Sequence, residues 1–239
     1  VPNNATPVPP ETLRDGAISW NRSALLRGRI DIAEMTAAEI DLPRRPVTED
    51  TPSEAKGFSL PELPVSVNIG KLSAARVRLG APILGAAAEV QLTGAIQLEG
   101  GDGSADIAVT RVDGQTGTLS LKGSFANSTR EATLDLLLKE AADGIAVGLL
   151  DIPGRPSAEL AVHGSGVIDQ FRADVSLRTD GQPRVGGHVQ LGSSTDASGA
   201  VTRRFSTALS GDITPLFLPD YQEFFGDDVS LEAEGQMLP

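Results

Sequence analysis

The chain has 239 residues, 40% of them apolar and only 4% aromatic, with a formal net charge of -12 and no cysteine. That length holds one large or two ordinary domains around an aliphatic core. The acid balance excludes nucleic-acid binding through clustered Lys and Arg, and the missing thiols exclude a disulfide frame and a thiolate metal site.

In chain order, the opening VPNNATPVPP has no initiator Met, and the last residues, 227–239, begin an alternating pattern at Val229, Leu231 and Ala233. Both ends lead to the expectation that these residues are a piece of a longer chain whose targeting segment or anchor lies outside it. Residues 1–42 contain IDIAEMTAAEIDL, read as first strands. Residues 43–64, PRRPVTEDTPSEAKGFSLPELP, are rich in proline and mixed charge and read as a linker or exposed loop.

From 65 to 211 alternation of apolar and polar residues dominates, the period of a strand with one apolar face. Val90, Leu92, Ile96 and Leu98 alternate with Gln91, Thr93, Gln97 and Glu99. Leu119, Leu121 and Phe125 follow, then Leu134, Leu136 and Leu138, then Phe171, Val175 and Leu177, then Val189 and Leu191, then Phe205 and Leu209. Gly100-Gly101, Asp113-Gly114, Asp143-Gly144, Pro153-Gly154 and Asp180-Gly181 punctuate the runs. Asx-Gly and Gly-Gly pairs tolerate positive φ and suit tight hairpins. The pattern predicts a mainly β fold: a long antiparallel meander with one aliphatic face. No strict repeat accompanies it, only a loose recurrence of pattern. The face is read either as the core of a closed sandwich or barrel or as the lining of a folded-over sheet.

Residues 212–226 break the rhythm. Thr214 is placed as an N-cap, Pro215 at the first helical position, Pro219 at the start of a second turn and Gly226 as the stop. The spacing predicts one short amphipathic helix whose Leu218, Tyr221, Phe224 and Phe225 form a stripe. Phe217, Tyr221, Phe224 and Phe225 are expected to anchor it, as a lid on an apolar trough or as a cap on a closed core. A weaker helical pattern covers 140–153, interrupted by Gly144 and Gly148.

Catalytic and metal signals are sparse. His163 and His188 are 25 residues apart and fall in predicted strands, so at least one of them reads as an outward polar strand residue rather than as part of a zinc site or triad. GGDGSAD (100–106) is one off-register approximation to a calcium nonapeptide and reads as a hairpin turn. HGSGVID (163–169) lacks the strand–turn–helix context of a dinucleotide fingerprint. No P-loop, Gly-x-Ser-x-Gly or His-Glu-x-x-His occurs. The residues therefore point to a protein without enzymatic activity, cofactor or metal.

Several stretches resemble the TamB family, the inner-membrane component of the translocation and assembly module, with AsmA-like relatives. They are ISWNRSALLRGRIDIAEMTAAEIDLPRRP, GFSLPELPVSVNIGKLSAARVRLGAPILG, SFANSTREATLDLLLKEAADGIAVGLLDIPGRPSAELAVHGSGVIDQFRADVSLRTDGQPRVGGHVQLG and GDITPLFLPDYQEFFG. The resemblance implies a sheet curled into a β-taco or split tube with an aliphatic inner face. It implies a periplasmic location, an inner-membrane anchor preceding these residues and an outer-membrane partner of the Omp85 class, TamA-like, contacted elsewhere. It also implies phospholipid as cargo, with the apolar residues named above lining the groove. The alternative is a scaffold that takes up strands of outer-membrane proteins at an open sheet edge. A secreted carbohydrate-binding or hydrolytic β-domain fits poorly, because Trp20 and Tyr221 are the sole residues of their types.

Overall fold

The computed structural model describes residues 12–26, 28–44, 66–195, 201–224, 226 and 228–237. Nearly all of the proline-rich 43–64 stretch lies outside them, as does Phe225. The rest builds one thirteen-stranded sheet that is open at both sides. Its first edge is β1 (Thr12–Arg14) and β2 (Ala17–Trp20), with helical turn α1 (Arg22–Leu25) after it. Both strands pair antiparallel with β3 (Arg29–Leu42), Leu13 opposite Ile40 and Ile18 opposite Met35. They are two halves of one strand, interrupted at Asp15-Gly16, where Asp15 takes a φ of 48°.

β3 pairs parallel with β4 (Ser66–Leu79), the single departure from the antiparallel meander expected from the sequence. A parallel neighbour requires the chain to return along the sheet before starting again. From β4 onward every pairing is antiparallel and sequential: β5 (Ala88–Glu99), β6 (Asp102–Arg111), β7 (Gly117–Ala126), β8 (Glu131–Glu140), β9 (Ala158–Val167), β10 (Gln170–Thr179), β11 (Gln182–Thr195), β12 (Val201–Gly211) and β13 (Val229–Met237). Two-residue hairpins form where Gly pairs predict them. Gly100 and Gly101 have φ of 59° and 84°, and Asp180 and Gly181 have 48° and 74°, the left-handed pair that matches strand twist.

β3 and β4 do not keep the simple two-residue alternation. Their apolar-face residues are Ile30, Ile32, Met35, Ala37, Ile40 and Leu42, aligned with Val67, Ile69, Leu72, Ala74, Val77 and Leu79. Each strand thus slips twice, and against β5 the slips fall between Ile69 and Leu72 and between Ala74 and Val77. A bulge raises local twist and bends its strand. Both strands slip at the same levels, so the parallel pair stays in phase while this side of the sheet bends.

Apart from α1, the short helical segments among the described residues gather at one end. α2 (Ala81–Leu84) joins β4 to β5, α3 (Ile145–Leu149) joins β8 to β9, and a 3₁₀ turn (Thr214–Leu216) with α4 (Pro219–Gln222) joins β12 to β13. Every fourth connection carries a helical cap, a modular repeat that the residue pattern did not disclose. The caps meet: Leu216 packs on Val147, Ile152 and Ala158, and a Cβ on Gly85, at the end of α2, would meet Leu149 at 3.5 Å. Asp113, after β6, binds the same end: it accepts from Arg111 Nη2 at 2.7 Å and from the Glu89 N–H at 3.2 Å.

The single helix expected over 214–226 is not formed. Proline disfavours helical backbone in the residue before it, and Leu218, ahead of Pro219, is extended at φ -59°, ψ 149°. The segment is two separate turns. Thr214 is not the N-cap; Ile213 holds that place, and the Asp212 carboxylate accepts from the Thr214 N–H at 3.3 Å. Gly226 does not stop a helix, since α4 ends at Gln222. Its carbonyl instead accepts from Thr214 Oγ1 at 3.3 Å. In 140–153 the helical pattern shortens to α3, which starts at Gly144 rather than being broken by it.

Candidate functional site: an open apolar face

Cross-strand register decides which side chains share a face, and here it joins the strands into one continuous apolar surface. Ile96 stands opposite Ile69 and Ala105; Leu92 is opposite Ala74 and Val109. Val109 is opposite Leu119, Ile107 opposite Leu121, and Gly103 opposite Phe125. Leu121 and Leu119 oppose Leu136 and Leu138, which oppose Val162 and Leu160. The row continues through Val175 and Leu177, through Phe171 and Leu191, then through Phe205 with Gly235 and Leu209 with Leu231. All seventeen lining residues named from the sequence fall on this one face. The sequence reading missed its β3, β4 and β6 members: Ile30 to Leu42, Val67 to Leu79, and Ala105, Ile107 and Val109. The signal for β3 and β4 was present as an apolar set recurring every five residues.

Among the described residues no second layer covers the face. Apart from α1 against β3, the substantial contacts between elements are all between hydrogen-bonded neighbours, and β1–β2 is not paired with β13. The sheet is therefore neither a closed barrel nor a sandwich. Burial follows from this. Phe125, Phe171 and Val90 are buried, Leu191 and Phe205 are 46% and 50% exposed, and the other lining side chains are half-buried. No leucine among the described residues is buried, which a closed aliphatic core would not permit.

Small clusters hold the surface in place. Ala74, Val77 and Val90 pack with Ala37, Ile40 and Leu92 on one side. Phe125, Ala132, Phe171 and Ala173 pack with Leu134 and Val162 further along. Gly164 is where Phe171 lies down: a Cβ there would sit 2.5 Å from the ring. An apolar hollow of about 230 Å³ lies between Leu13, Ile18, Met35, Ile40, Leu72 and Leu92. A larger depression, about 730 Å³, lies between β10 and β13, but its walls mix Gln190, Ser206 and Glu234 with Leu191 and Phe205. It does not follow the apolar face, so register rather than concavity identifies the candidate site.

Apart from Thr207 in mid-β12, whose hydroxyl donates to the His188 carbonyl at 3.3 Å, polar groups on the apolar face occur at strand ends, where most are consumed by local bonds. Glu140 is buried, and its carboxylate accepts from the Ile145 and Ala146 N–H groups at 3.0 and 2.8 Å. At the opposite end Asp169 takes two bonds from Arg130 and one from the Ser193 hydroxyl. The Arg130 guanidinium, then the Ser193 hydroxyl, hold this carboxyl below the usual carboxylate range against some desolvation.

Of the expected anchors of the 212–226 segment, the three within the described residues do not bury. Phe224 is 86% exposed and Tyr221 60%, and Phe217 only edges a hollow shared with Leu150, Ile152, Leu177 and Leu216. The residue that seats the segment is Leu216, which the sequence reading passed over. These turns cap the rim at one end of the trough and do not cover its length.

The opposite face is polar and carries cross-strand ion pairs, among them Lys122–Asp106 at 3.0 Å and Lys139–Glu159 at 3.1 Å. Arg78 links β3, β4 and β5 through Glu39, Asp41 and Glu89. Both histidines lie here, in one transverse row: Lys122, Asp135, His163, Asp174 and His188 stand in successive register. His163 Nδ1 bonds Asp135. Among the described residues no three acidic or histidine side chains are arranged to hold a metal ion, and no helix is long and apolar enough to cross a membrane.

Fold and face together define an open, single-layered β-groove. No family model, curated protein or solved structure matches this chain.

Proposed function

We propose that this chain is a non-enzymatic groove that shelters or conducts phospholipid acyl chains. One observation carries the reading: a continuous aliphatic face across the whole sheet, left without a second layer. Such a surface in water is costly unless something apolar occupies it. An acyl chain moved from water onto it gains about 0.8 kcal/mol per buried methylene. The lining offers similar methyl and methylene surface from strand to strand, so no position is a deep trap and a chain can slide. The resemblance to the TamB family supports the same reading. On this reading the groove would work in the periplasm of a Gram-negative bacterium, inner-membrane anchored through other residues, as part of a bridge toward an Omp85-class protein in outer-membrane biogenesis. Uptake of outer-membrane protein strands at the sheet edge is the second reading, favoured by the unpaired backbone of β13.

The test is native mass spectrometry of the protein purified from a bacterium, with lipid extraction of the same sample. Phospholipid is expected to co-purify, and to be lost from a Leu121→Asp/Leu136→Asp variant that retains its β circular dichroism. A lipid-free mass with no uptake from phospholipid vesicles overturns the reading.

A further inference from the structure

Charged side chains on the apolar face sit at strand ends, and nearly all are spent on local bonds. At the end that carries the caps, Arg111 holds Asp113, and Glu140 holds the start of α3. Arg184 of β11 donates there to Thr179 Oγ1 and to Asp212 at 2.8 and 2.9 Å. At the opposite end the Asp169 carboxylate takes Arg130 and the Ser193 hydroxyl. None of these groups is left to hold a ligand.

Arg203 is the exception. β11 and β12 pair without a slip from Gly186 to Thr195, so Arg203, two residues before Phe205, leaves the sheet on the same face as that ring. It stands opposite Ser193 and Met237 and is half-buried. Among the described residues no hydrogen bond or ion pair engages its guanidinium. Asp169, the acid that takes the Ser193 hydroxyl, is already balanced by Arg130. Burial strips a cation of part of its water, and an anion placed against it offsets that loss. The apolar surface beside Arg203 is the most open of the lining named from the sequence. Leu191 and Phe205, each two residues from the Ser193–Arg203 pair, are 46% and 50% exposed. Arg204 is the contrast: it stands opposite Gly192 and Gln236 and leaves on the polar face.

We propose that Arg203 receives the anionic head of an acyl-chain ligand, a phosphodiester or a carboxylate, while the chain lies on Leu191 and Phe205 and runs on into the trough. The proposal rests on the acyl-chain reading of the face and adds a polarity to it. The lip opposite the caps offers an uncommitted cation next to open apolar surface. The cap lip offers Arg111, Glu140 and Arg184, each already bonded. An anionic amphiphile therefore sits with its head at the Arg203 lip, and a neutral one has no charge there to hold it.

Calorimetric titration of the intact chain with three single-chain probes below their micelle concentrations tests this: oleate, lysophosphatidylglycerol and monoolein. In Arg203→Gln the two anions are expected to bind about tenfold more weakly, the worth of one charge-assisted contact, with monoolein unchanged. Arg203→Lys is expected to keep most of the anion affinity and Arg204→Gln all of it, each variant retaining its β circular dichroism. In the unaltered chain, added salt is expected to weaken the anions and not monoolein, a readout that needs no variant. A loss for either anion supports the proposal, and the larger loss tells a phosphodiester head from a carboxylate. Monoolein binding together with anion affinity that Arg203→Gln leaves unchanged, or that Arg204→Gln lowers as much, overturns the proposal and spares the groove. No binding of any probe overturns the groove reading, and this proposal with it.

Discussion

Asp169 illustrates how single residues shape the rims of this sheet. It sits in the β9–β10 turn, takes the Arg130 guanidinium and the Ser193 hydroxyl, and ties the β7–β8 turn and the end of β11 to its own turn. Its folded-state pKa is lowered, by Arg130 first. A carboxyl lowered on folding contributes stability above its unfolded value, about 3.9, and loses it as pH falls through the folded value. The stability of the chain should therefore decline as pH falls from about 3.9 through the lowered folded value, with Asp113, lowered chiefly by Arg111, adding to the decline. In Asp169→Asn the acid limb of a urea-melt stability profile is expected to be shallower, with stability near neutrality reduced. An unchanged acid limb would show that the Arg130 bonds contribute nothing to it.

At the scale of elements, α3 depends on one side chain from the strand before it. A helix start leaves N–H groups without partners, and Gly144, its N-cap, has no side chain to offer. Glu140 supplies both oxygens from the end of β8, and Val147 is then held against Ile152, Ala158 and Leu216. Glu140→Ala leaves two donors unpaired in a mostly buried position, a loss of about 1–3 kcal/mol. Chemical denaturation should report that loss, and amide exchange should show it concentrated at Ile145 and Ala146. Glu140→Gln keeps one acceptor and should lose less. The β11–β12 pair has a different constraint: at Gly187, with φ 149°, a Cβ would lie 2.1 Å from the Ala208 carbonyl oxygen. The strands come too close there for any side chain.

For the whole molecule, stability is a sum over neighbours. Strands contact the strands beside them and little else, so the sheet resembles a one-dimensional array, in which units at the ends have one partner rather than two. Amide exchange is expected to be slowest in β5 to β10 and to quicken toward β1–β2 and β13, giving a graded profile. Uniform protection with a single cooperative opening would contradict a neighbour-only sheet.

Much of this was legible in the residues. Alternation around Leu119, Leu121, Leu134, Leu136 and Leu138 names the shared face, because a strand sends successive side chains to opposite sides. Gly100-Gly101 and Asp180-Gly181 name the hairpins, because few other residues accept positive φ twice in a row. The sequence by itself thus determined a β meander and the face each lining residue occupies. The tertiary structure alone decided that β3 and β4 run parallel, since strand direction rests on where the chain returns, which local pattern does not encode. It alone decided that the face stays open, because an aliphatic strand face looks the same whether a second layer covers it or not. And it decided that the aromatic segment is two turns seated by Leu216 rather than one buried helix, since the break at Pro219 and the packing on α3 outweigh the helical spacing of its rings.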